Sequence, residues 1–97
     1  MTRAGVLRQL KSHERDLASF GVRRLAIFGS VARDDDSSDS DVDVLVAFDG
    51  PTTIDLYFDL KFWLEELLDR PVDLVTEQAL RPEMADEVNK EALHVTP

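Results

Sequence analysis

Three short apolar segments of the chain predict three β-strands, and in one of them the apolar residues recur with a period of two. The clearest alternation covers residues 42–48, where the apolar side chains share one face: Val42, Val44, Val46 and Phe48. Shorter apolar runs at residues 23–28 and 72–75 predict two more strands, and Gly29 with Ser30 ends the first of them. We therefore expect a small sheet whose best-defined strand is the segment 42–48.

Longer segments have apolar residues at helical spacing, which predicts helices packed on that sheet. Three helices are predicted in this way, over residues 3–19, from residue 52 to about 69, and from residue 82 onward. Thr52, three residues before Asp55, is the predicted cap of the second helix. The polar residues 31–40 predict a loop, with one helical turn from Ser30 to Arg33 at its start. The element order implies a single domain over residues 1–97, with helices packed on a three-stranded sheet.

The amino-acid composition adds a strongly acidic charge to this picture. The chain has 97 residues, with 20 Asp and Glu against 11 Lys and Arg, and its formal net charge is −9. Because such a surface repels phosphate backbones, we expect no direct nucleic-acid binding and favour a basic partner or an anionic ligand carried by a metal ion. Cysteine is absent, which excludes thiolate metal sites and cysteine nucleophiles. No segment resembles a membrane span or a signal peptide, so we expect a cytoplasmic protein without a membrane partner.

Three aspartates and a Gly-Ser pair are the residues best suited to chemistry. Gly29-Ser30 ends the first predicted strand, ten residues follow, and the second predicted strand begins Asp41-x-Asp43. Side chains at positions i and i+2 of a strand share a face about 6.5–7 Å apart, so Asp41 and Asp43 can turn inward together and hold one or two divalent ions. Asp73 lies within the third apolar strand, where a carboxylate without a partner is costly to bury. Proximity to the same metal site accounts for that position.

Magnesium and a triphosphate are the ligands that these residues suit. Mg²⁺ prefers oxygen ligands, keeps several waters and is usually completed by substrate phosphates. Glycine lets the backbone approach a ligand closely, and free N–H groups at the start of a helical turn favour phosphate. The hydroxyl of Ser30 adds a hydrogen-bond donor. We therefore expect the amides at Gly29 and the Ser30 hydroxyl to bind phosphates while the carboxylates bind the metal.

Other interpretations of the polar residues fit the sequence less well. A calcium-binding loop that starts at Asp39 has Val44 where such a loop needs glycine. The aspartates between the Gly-Ser pair and residue 41 are expected to form only a solvated loop: Asp34, Asp35, Asp36 and Asp39. His13 and His94 are expected to be surface or boundary residues. Arg33 could contact a phosphate or be an ordinary surface residue, and the sequence does not decide between the two.

The spacing of the Gly-Ser pair and the two aspartates resembles the signature of the DNA-polymerase-beta-like nucleotidyltransferases. The longer segment GSVARDDDSSDSDVDVLV is similar to the minimal nucleotidyltransferase (MNT) branch, and RPVDLVTEQAL, with Asp73, resembles the third strand of that branch. Asp34 departs from the family pattern, which often has glycine there. The resemblance covers nearly the whole chain. It implies the minimal nucleotidyltransferase fold, an α/β (α+β) arrangement with a small three-stranded mixed sheet and about four flanking helices.

The resemblance also implies a function. Members typically act as antitoxins in HEPN/MNT toxin–antitoxin pairs of the type VII-like class, and transfer AMP from ATP to a tyrosine of a HEPN ribonuclease toxin. On that basis we expect a protein adenylyltransferase that uses ATP and two Mg²⁺ ions, with Asp41, Asp43 and Asp73 as its catalytic and metal-binding residues. Two alternatives stay open. One is a module that neutralises its partner by contact alone, and the other is a nucleotidyltransferase acting on a small molecule, for which a chain of this length leaves little room.

Overall fold

The computed structural model describes residues 3–33 and 41–95, and this part of the chain forms five α-helices and four β-strands. Their order and bounds are α1 (Arg3–Ser12), α2 (Glu14–Ser19), β1 (Val22–Phe28), α3 (Gly29–Arg33), β2 (Val42–Phe48), α4 (Ile54–Leu68), β3 (Val72–Thr76), α5 (Pro82–Glu91) and β4 (Leu93–His94). A 3₁₀ turn over Glu77–Ala79 follows β3. The predicted loop aspartates Asp34, Asp35, Asp36 and Asp39 lie outside the described residues.

The four strands form one mixed sheet with the order β3-β2-β1-β4. β2 pairs antiparallel with β1 and parallel with β3, and α4 supplies the crossover that a parallel pair needs. This arrangement confirms the predicted α/β (α+β) fold, with one strand more than the three predicted. The added strand, β4, pairs antiparallel with β1, where Leu93 lies opposite Ile27 and His94 opposite Ala26.

Helices cover one face of the sheet and enclose the main core. Val6 and Leu10 of α1, Leu17 of α2 and three leucines of α4 are almost completely buried there. The three leucines follow the spacing of one helical face: Leu60, Leu64 and Leu68. From the sheet, the core receives the alternating apolar residues predicted for β2: Val42, Val44, Val46 and Phe48. The core side of the sheet therefore follows from the two periods seen in the sequence.

The opposite face of β2 is also buried along most of its length, which the alternation did not predict. Leu45 and Ala47 are almost completely buried, because β2 is an inner strand and the sheet is covered on both sides there. On β1 the neighbour of Leu45 is Ala26, which is buried too, and α5 contacts β1 and α3. Only the first part of this face, where Asp43 lies, is more open.

Two helix boundaries differ from those predicted. The predicted helix over residues 3–19 is interrupted at His13, whose ring packs in a T-shaped arrangement with the Trp63 ring, with 5.8 Å between the ring centroids. The cap of α4 is Thr53 and not Thr52, because the Thr53 hydroxyl accepts a hydrogen bond from the Leu56 amide at 3.1 Å. In the described part of the chain, no helix combines the length and the apolar character required to cross a membrane.

Candidate active site

Two strands place Asp43 and Asp73 side by side. In the parallel pairing of β2 with β3, Asp43 is the direct partner of Asp73. Residues paired in this way project from the same face of a sheet, and neighbouring strands lie about 4.8 Å apart. Both aspartates belong to the first two residues of their strands, so the pair lies at one end of the sheet. The structure thus brings together two of the three carboxylates predicted from the sequence.

Asp41 lies directly before β2, at the same end of the sheet. The next amide along the chain, that of Val42, donates a hydrogen bond to the Pro71 carbonyl oxygen at 2.9 Å. This bond joins the start of β2 to the residue before β3, so Asp41 and Asp73 both lie within two residues of it in the chain. Within residues 3–33 and 41–95, however, no three His, Asp or Glu side chains are grouped closely enough to hold a metal ion together. The three-carboxylate site therefore stays a prediction.

The exposure of the aspartates corrects one expectation. Asp73 was expected to be buried, because it lies in an apolar strand, but its side chain is exposed. Its neighbours Val72 and Leu74 are buried because they point into the core, whereas Asp73 points to the other face of an edge strand. Asp41 is exposed as well, and Asp43 is half-buried. Asp73 therefore needs no metal ion to offset a cost of burial.

Asp43 leaves no room for a side chain at position 29, where the sequence has glycine. Gly29 begins α3 with a φ of +71°, in the left-handed region that disfavours residues with a side chain. A Cβ atom on Gly29 would collide with Oδ2 of Asp43 and lie 3.0 Å from its Cγ atom. The sequence predicted a glycine here for close approach to a ligand. The structure adds a second reason, which is that Gly29 leaves the space that the Asp43 carboxylate occupies.

Ser30 follows as the second residue of α3, in the helical turn predicted for this segment. α3 begins directly after Phe28, which pairs with Asp43 across β1 and β2. The first amides of α3 therefore lie at the same end of the sheet as Asp43. The phosphate-binding roles of Gly29 and Ser30 and the role of Arg33 stay predictions.

Glu65 is a residue near the site that sequence reasoning missed. Its Oε2 atom accepts a hydrogen bond from the Val72 amide at 2.9 Å, directly before Asp73, and a second from Lys61 Nζ at 3.2 Å. The hydrogen bond from Val72, followed by that from Lys61, lowers the pKa of the Glu65 carboxyl below its ordinary value. Lys61 and Glu65 are four residues apart in a predicted helix, so the sequence could have predicted their ion pair. No sequence pattern predicts the hydrogen bond from Val72 to Glu65.

Tyr57 provides a second tie between α4 and β3. Its hydroxyl donates a hydrogen bond to the Leu74 carbonyl oxygen, so contacts from α4 reach β3 on both sides of Asp73. An edge strand has one row of backbone groups without a strand partner, and α4 satisfies part of that row. These two contacts hold β3 in the register that pairs Asp73 with Asp43.

The chemistry of the site fits a small, hard cation. Asp43 and Asp73 offer carboxylate oxygens from neighbouring positions, and Asp41 offers another at the same end of the sheet. Mg²⁺ is usually bound through one or two protein carboxylates, with waters and substrate phosphates completing its octahedron. The donor set therefore suits Mg²⁺ accompanied by a nucleotide.

Comparison with known proteins agrees with the fold and the class of site. A family model described as a nucleotidyltransferase domain matches residues 7–95. The protein adenylyltransferase MntA of Thermococcus cleftensis is 38% identical over 87 residues, which cover 89% of this chain and 88% of the relative. A solved structure named as a candidate minimal nucleotidyltransferase superposes with a TM-score of 0.84 at 36% identity, covering 96% of this chain and 95% of that one.

A more distant structure shares the fold only. It is the AMPylated Shewanella oneidensis HEPN toxin in complex with an MNT antitoxin, and it matches with a TM-score of 0.67 at 17% identity, over 92% of this chain and 71% of that one. The family match spans almost all of the described residues, and it includes both strands that carry the aspartates. The resemblance of the sequence is confirmed, and the chain belongs to the nucleotidyltransferase domain family.

Proposed function

We propose that this chain is a protein adenylyltransferase that transfers AMP from ATP to a tyrosine of a HEPN ribonuclease toxin, and that it is the antitoxin of that toxin. The observation that carries the proposal is the pairing of Asp43 with Asp73 beside Gly29, in a chain of the nucleotidyltransferase family. The name of the Thermococcus relative supports a protein as the acceptor. The resemblance of the sequence to MNT antitoxins supports a HEPN toxin.

The reaction joins the tyrosine oxygen to the α-phosphorus of ATP and breaks the bond from that phosphorus to the oxygen bridging to the β-phosphate. Pyrophosphate leaves, and the tyrosine proton passes to a carboxylate, for which we propose Asp73. Asp41, Asp43 and Asp73 would hold Mg²⁺, which would supply positive charge to stabilise the triphosphate and the leaving pyrophosphate. Gly29 and Ser30 hold phosphate oxygens through backbone amides and the hydroxyl. The protein acts by positioning and charge stabilisation, without a covalent intermediate.

The exposure of the site agrees with a macromolecular acceptor. Within residues 3–33 and 41–95, Asp41 and Asp73 are exposed and Asp43 is half-buried, so the carboxylates lie at a surface. A tyrosine on a second protein can reach such a surface directly. The formal charge of −9 favours a basic protein, as an RNA-cleaving enzyme commonly is.

The intact mass of the toxin tests the proposal. After incubation of purified HEPN toxin with this protein, ATP and Mg²⁺, we expect each modified toxin to gain about 329 Da per AMP, the mass of AMP less water. The double variant Asp43→Asn/Asp73→Asn should leave the toxin mass unchanged while keeping the wild-type circular dichroism spectrum, because both side chains lie outside the core.

A matched variant controls for lost charge. Asp86→Asn/Glu87→Gln removes two exposed carboxylates of α5 and should modify the toxin as the wild type does. Full modification by the Asp43→Asn/Asp73→Asn variant, or an unmodified toxin with the wild type, contradicts the proposal.

A further inference from the structure

α4 has a second apolar face that is exposed in the part of the chain that the structure describes. Three side chains spaced four residues apart are exposed along it: Ile54 by 77%, Phe58 by 43% and Phe62 by 59%. The rings of Phe58 and Phe62 stack with 5.9 Å between their centroids, and Tyr57 meets Phe58 edge-on at 5.1 Å. We call Ile54, Phe58 and Phe62 the α4 stripe. Because apolar side chains scattered singly are ordinary on a surface, it is their continuity that distinguishes the stripe.

A shallow hollow continues the α4 stripe at its N-terminal end. It has a volume of about 240 Å³ and is lined by Thr52, Thr53, Ile54, Tyr57, Phe58 and Thr76. The lining combines apolar surface with threonine hydroxyls, so one apolar side chain of a partner can enter it while polar groups surround the contact. Interfaces commonly depend on such an anchor residue in a pocket, with polar residues at the rim.

The hollow lies at the end of the sheet opposite the aspartates. Thr76 ends β3 and Thr52 follows the end of β2, whereas Asp43 and Asp73 lie at the starts of these strands. A strand of seven residues, such as β2, extends about 20 Å. The hollow itself is therefore separated from Asp43 and Asp73 by most of the length of these strands.

The charges around the α4 stripe select the kind of partner. Asp55, Asp59 and Glu66 are exposed on the same helix, and the whole chain carries a net charge of −9. A second copy of this chain would place like charges opposite one another, and nucleic acid or an anionic membrane would be repelled. The Nζ atom of Lys61 lies 5.6 Å from the centroid of the Phe62 ring, so this ring of the stripe already contacts a cation.

We propose that the α4 stripe and its hollow form a docking surface for a protein partner that presents an apolar side chain surrounded by Lys and Arg residues. The apolar side chain enters the hollow, and the basic residues face Asp55, Asp59 and the rings of Phe58 and Phe62. The surface is separate from the aspartates and requires neither nucleotide nor metal ion. It therefore goes beyond adenylyl transfer and can be tested without it.

A pair of synthetic peptides tests this proposal. The first is a fluorescently labelled helical peptide of about 18 residues, with Leu and Phe along one face and Lys elsewhere, and the second has the same apolar face with Glu in place of Lys. By fluorescence anisotropy, the basic peptide should bind the wild type, bind more weakly at high salt, and bind the variant Phe58→Ser/Phe62→Ser at least about tenfold more weakly. The acidic peptide should not bind.

Two controls keep the result interpretable. Met84→Ser removes an exposed apolar side chain of α5, 51% exposed, and should bind the basic peptide as the wild type does. A peptide of scrambled order, with the same charge and no apolar face, measures attraction by charge alone and should bind at least about tenfold more weakly than the ordered peptide. Each variant should keep the wild-type circular dichroism spectrum, because the substituted side chains lie outside the core.

Three results would overturn the proposal. One is equal affinity of the wild type and Phe58→Ser/Phe62→Ser for the basic peptide, and another is equal binding of the ordered and scrambled peptides. The third is a dimer of the wild type in sedimentation analysis that Phe58→Ser/Phe62→Ser dissociates, since a second copy would then be the occupant of the stripe.

Discussion

At the scale of single residues, the contact between Gly29 and Asp43 leads to a prediction about stability. Gly29→Ala adds a Cβ atom where Oδ2 of Asp43 lies, on a backbone with a φ of +71°. We expect the left-handed backbone to cost about 1–2 kcal/mol, and the collision with Asp43 to add to that cost and displace the carboxylate. Urea unfolding measures the loss of stability, and toxin modification with ATP and Mg²⁺ should fall sharply.

Gly21 provides a matched control for that substitution. Its φ is +81°, so Gly21→Ala meets the same kind of backbone strain, but a Cβ atom there would have no atom of the described residues within 4 Å apart from its two chain neighbours. Gly29→Ala should therefore destabilise the protein more than Gly21→Ala, and the excess should shrink in an Asp43→Ala background, where the colliding atoms are gone. Equal losses for the two alanine variants would mean that Asp43 does not constrain residue 29.

At the scale of elements, the hydrogen bond from β3 to Glu65 predicts a pH dependence. The amide of Val72 and the amine of Lys61 hold the pKa of the Glu65 carboxyl below its ordinary value of 4.5. Because the folded protein binds this proton less tightly than the unfolded chain, the stabilising contribution is complete above about pH 4.5 and is lost as the pH falls through the lower, folded value.

The variant Glu65→Gln isolates this contribution. In urea unfolding, we expect wild type to be more stable than Glu65→Gln at pH 7, and the difference to shrink as the pH is lowered below 4.5. Glu66→Gln removes the neighbouring exposed carboxylate and serves as the control for a general loss of negative charge. A difference between wild type and Glu65→Gln that is the same at pH 7 and at pH 3 would contradict the assignment.

The elements also show which parts of the fold follow from the sequence. The alternation in β2 and the leucine spacing of α4 are local patterns, and both predicted the core side of their element. β4 has two residues, too few to show any alternation, and the interruption at His13 leaves the helical spacing of the apolar residues almost unchanged. Thr52 and Thr53 are equally suitable caps by residue type, so only the course of the backbone decides between them.

For the candidate site, as for the fold, the sequence predicted local features but not contacts between distant segments. Residue types and spacing predict the Gly-Ser pair as phosphate ligands and the aspartates as metal ligands. The pairing of Asp43 with Asp73 depends on the register that α4 imposes on β3, which no local pattern determines. The same holds for the Val72–Glu65 bond and for the space that Gly29 leaves beside Asp43. Such features arise from contacts between segments distant in the chain.

At the scale of the whole molecule, catalysis and neutralisation by contact predict different stoichiometries. If this protein modifies its toxin, about one copy to ten toxin molecules should silence the ribonuclease when ATP and Mg²⁺ are present, since each copy turns over. The toxin should stay inactive after this protein is removed. RNA cleavage assays at increasing ratios of the two proteins measure the outcome.

The variant Asp41→Asn/Asp43→Asn separates the two modes. It should be as stable as the wild type or slightly more stable, because like charges that repel one another are removed, but it should no longer silence the toxin at low ratios. If the variant silences as well as the wild type does, and only at equal amounts of the two proteins, neutralisation by contact is the mechanism.

The parallel pairing of β2 with β3 also affects when, during synthesis and folding, the aspartates come together. β1 and β2 are antiparallel strands close together in the chain, whereas Asp73 reaches Asp43 only after α4 has folded back along the sheet. Contacts of long sequence separation form late, since the entropy of closing the intervening chain is lost before they form. During synthesis, Asp41 and Asp43 leave the ribosome well before their partner. If Asp73 has the role proposed for it, the nascent chain should stay inactive until β3 has paired with β2.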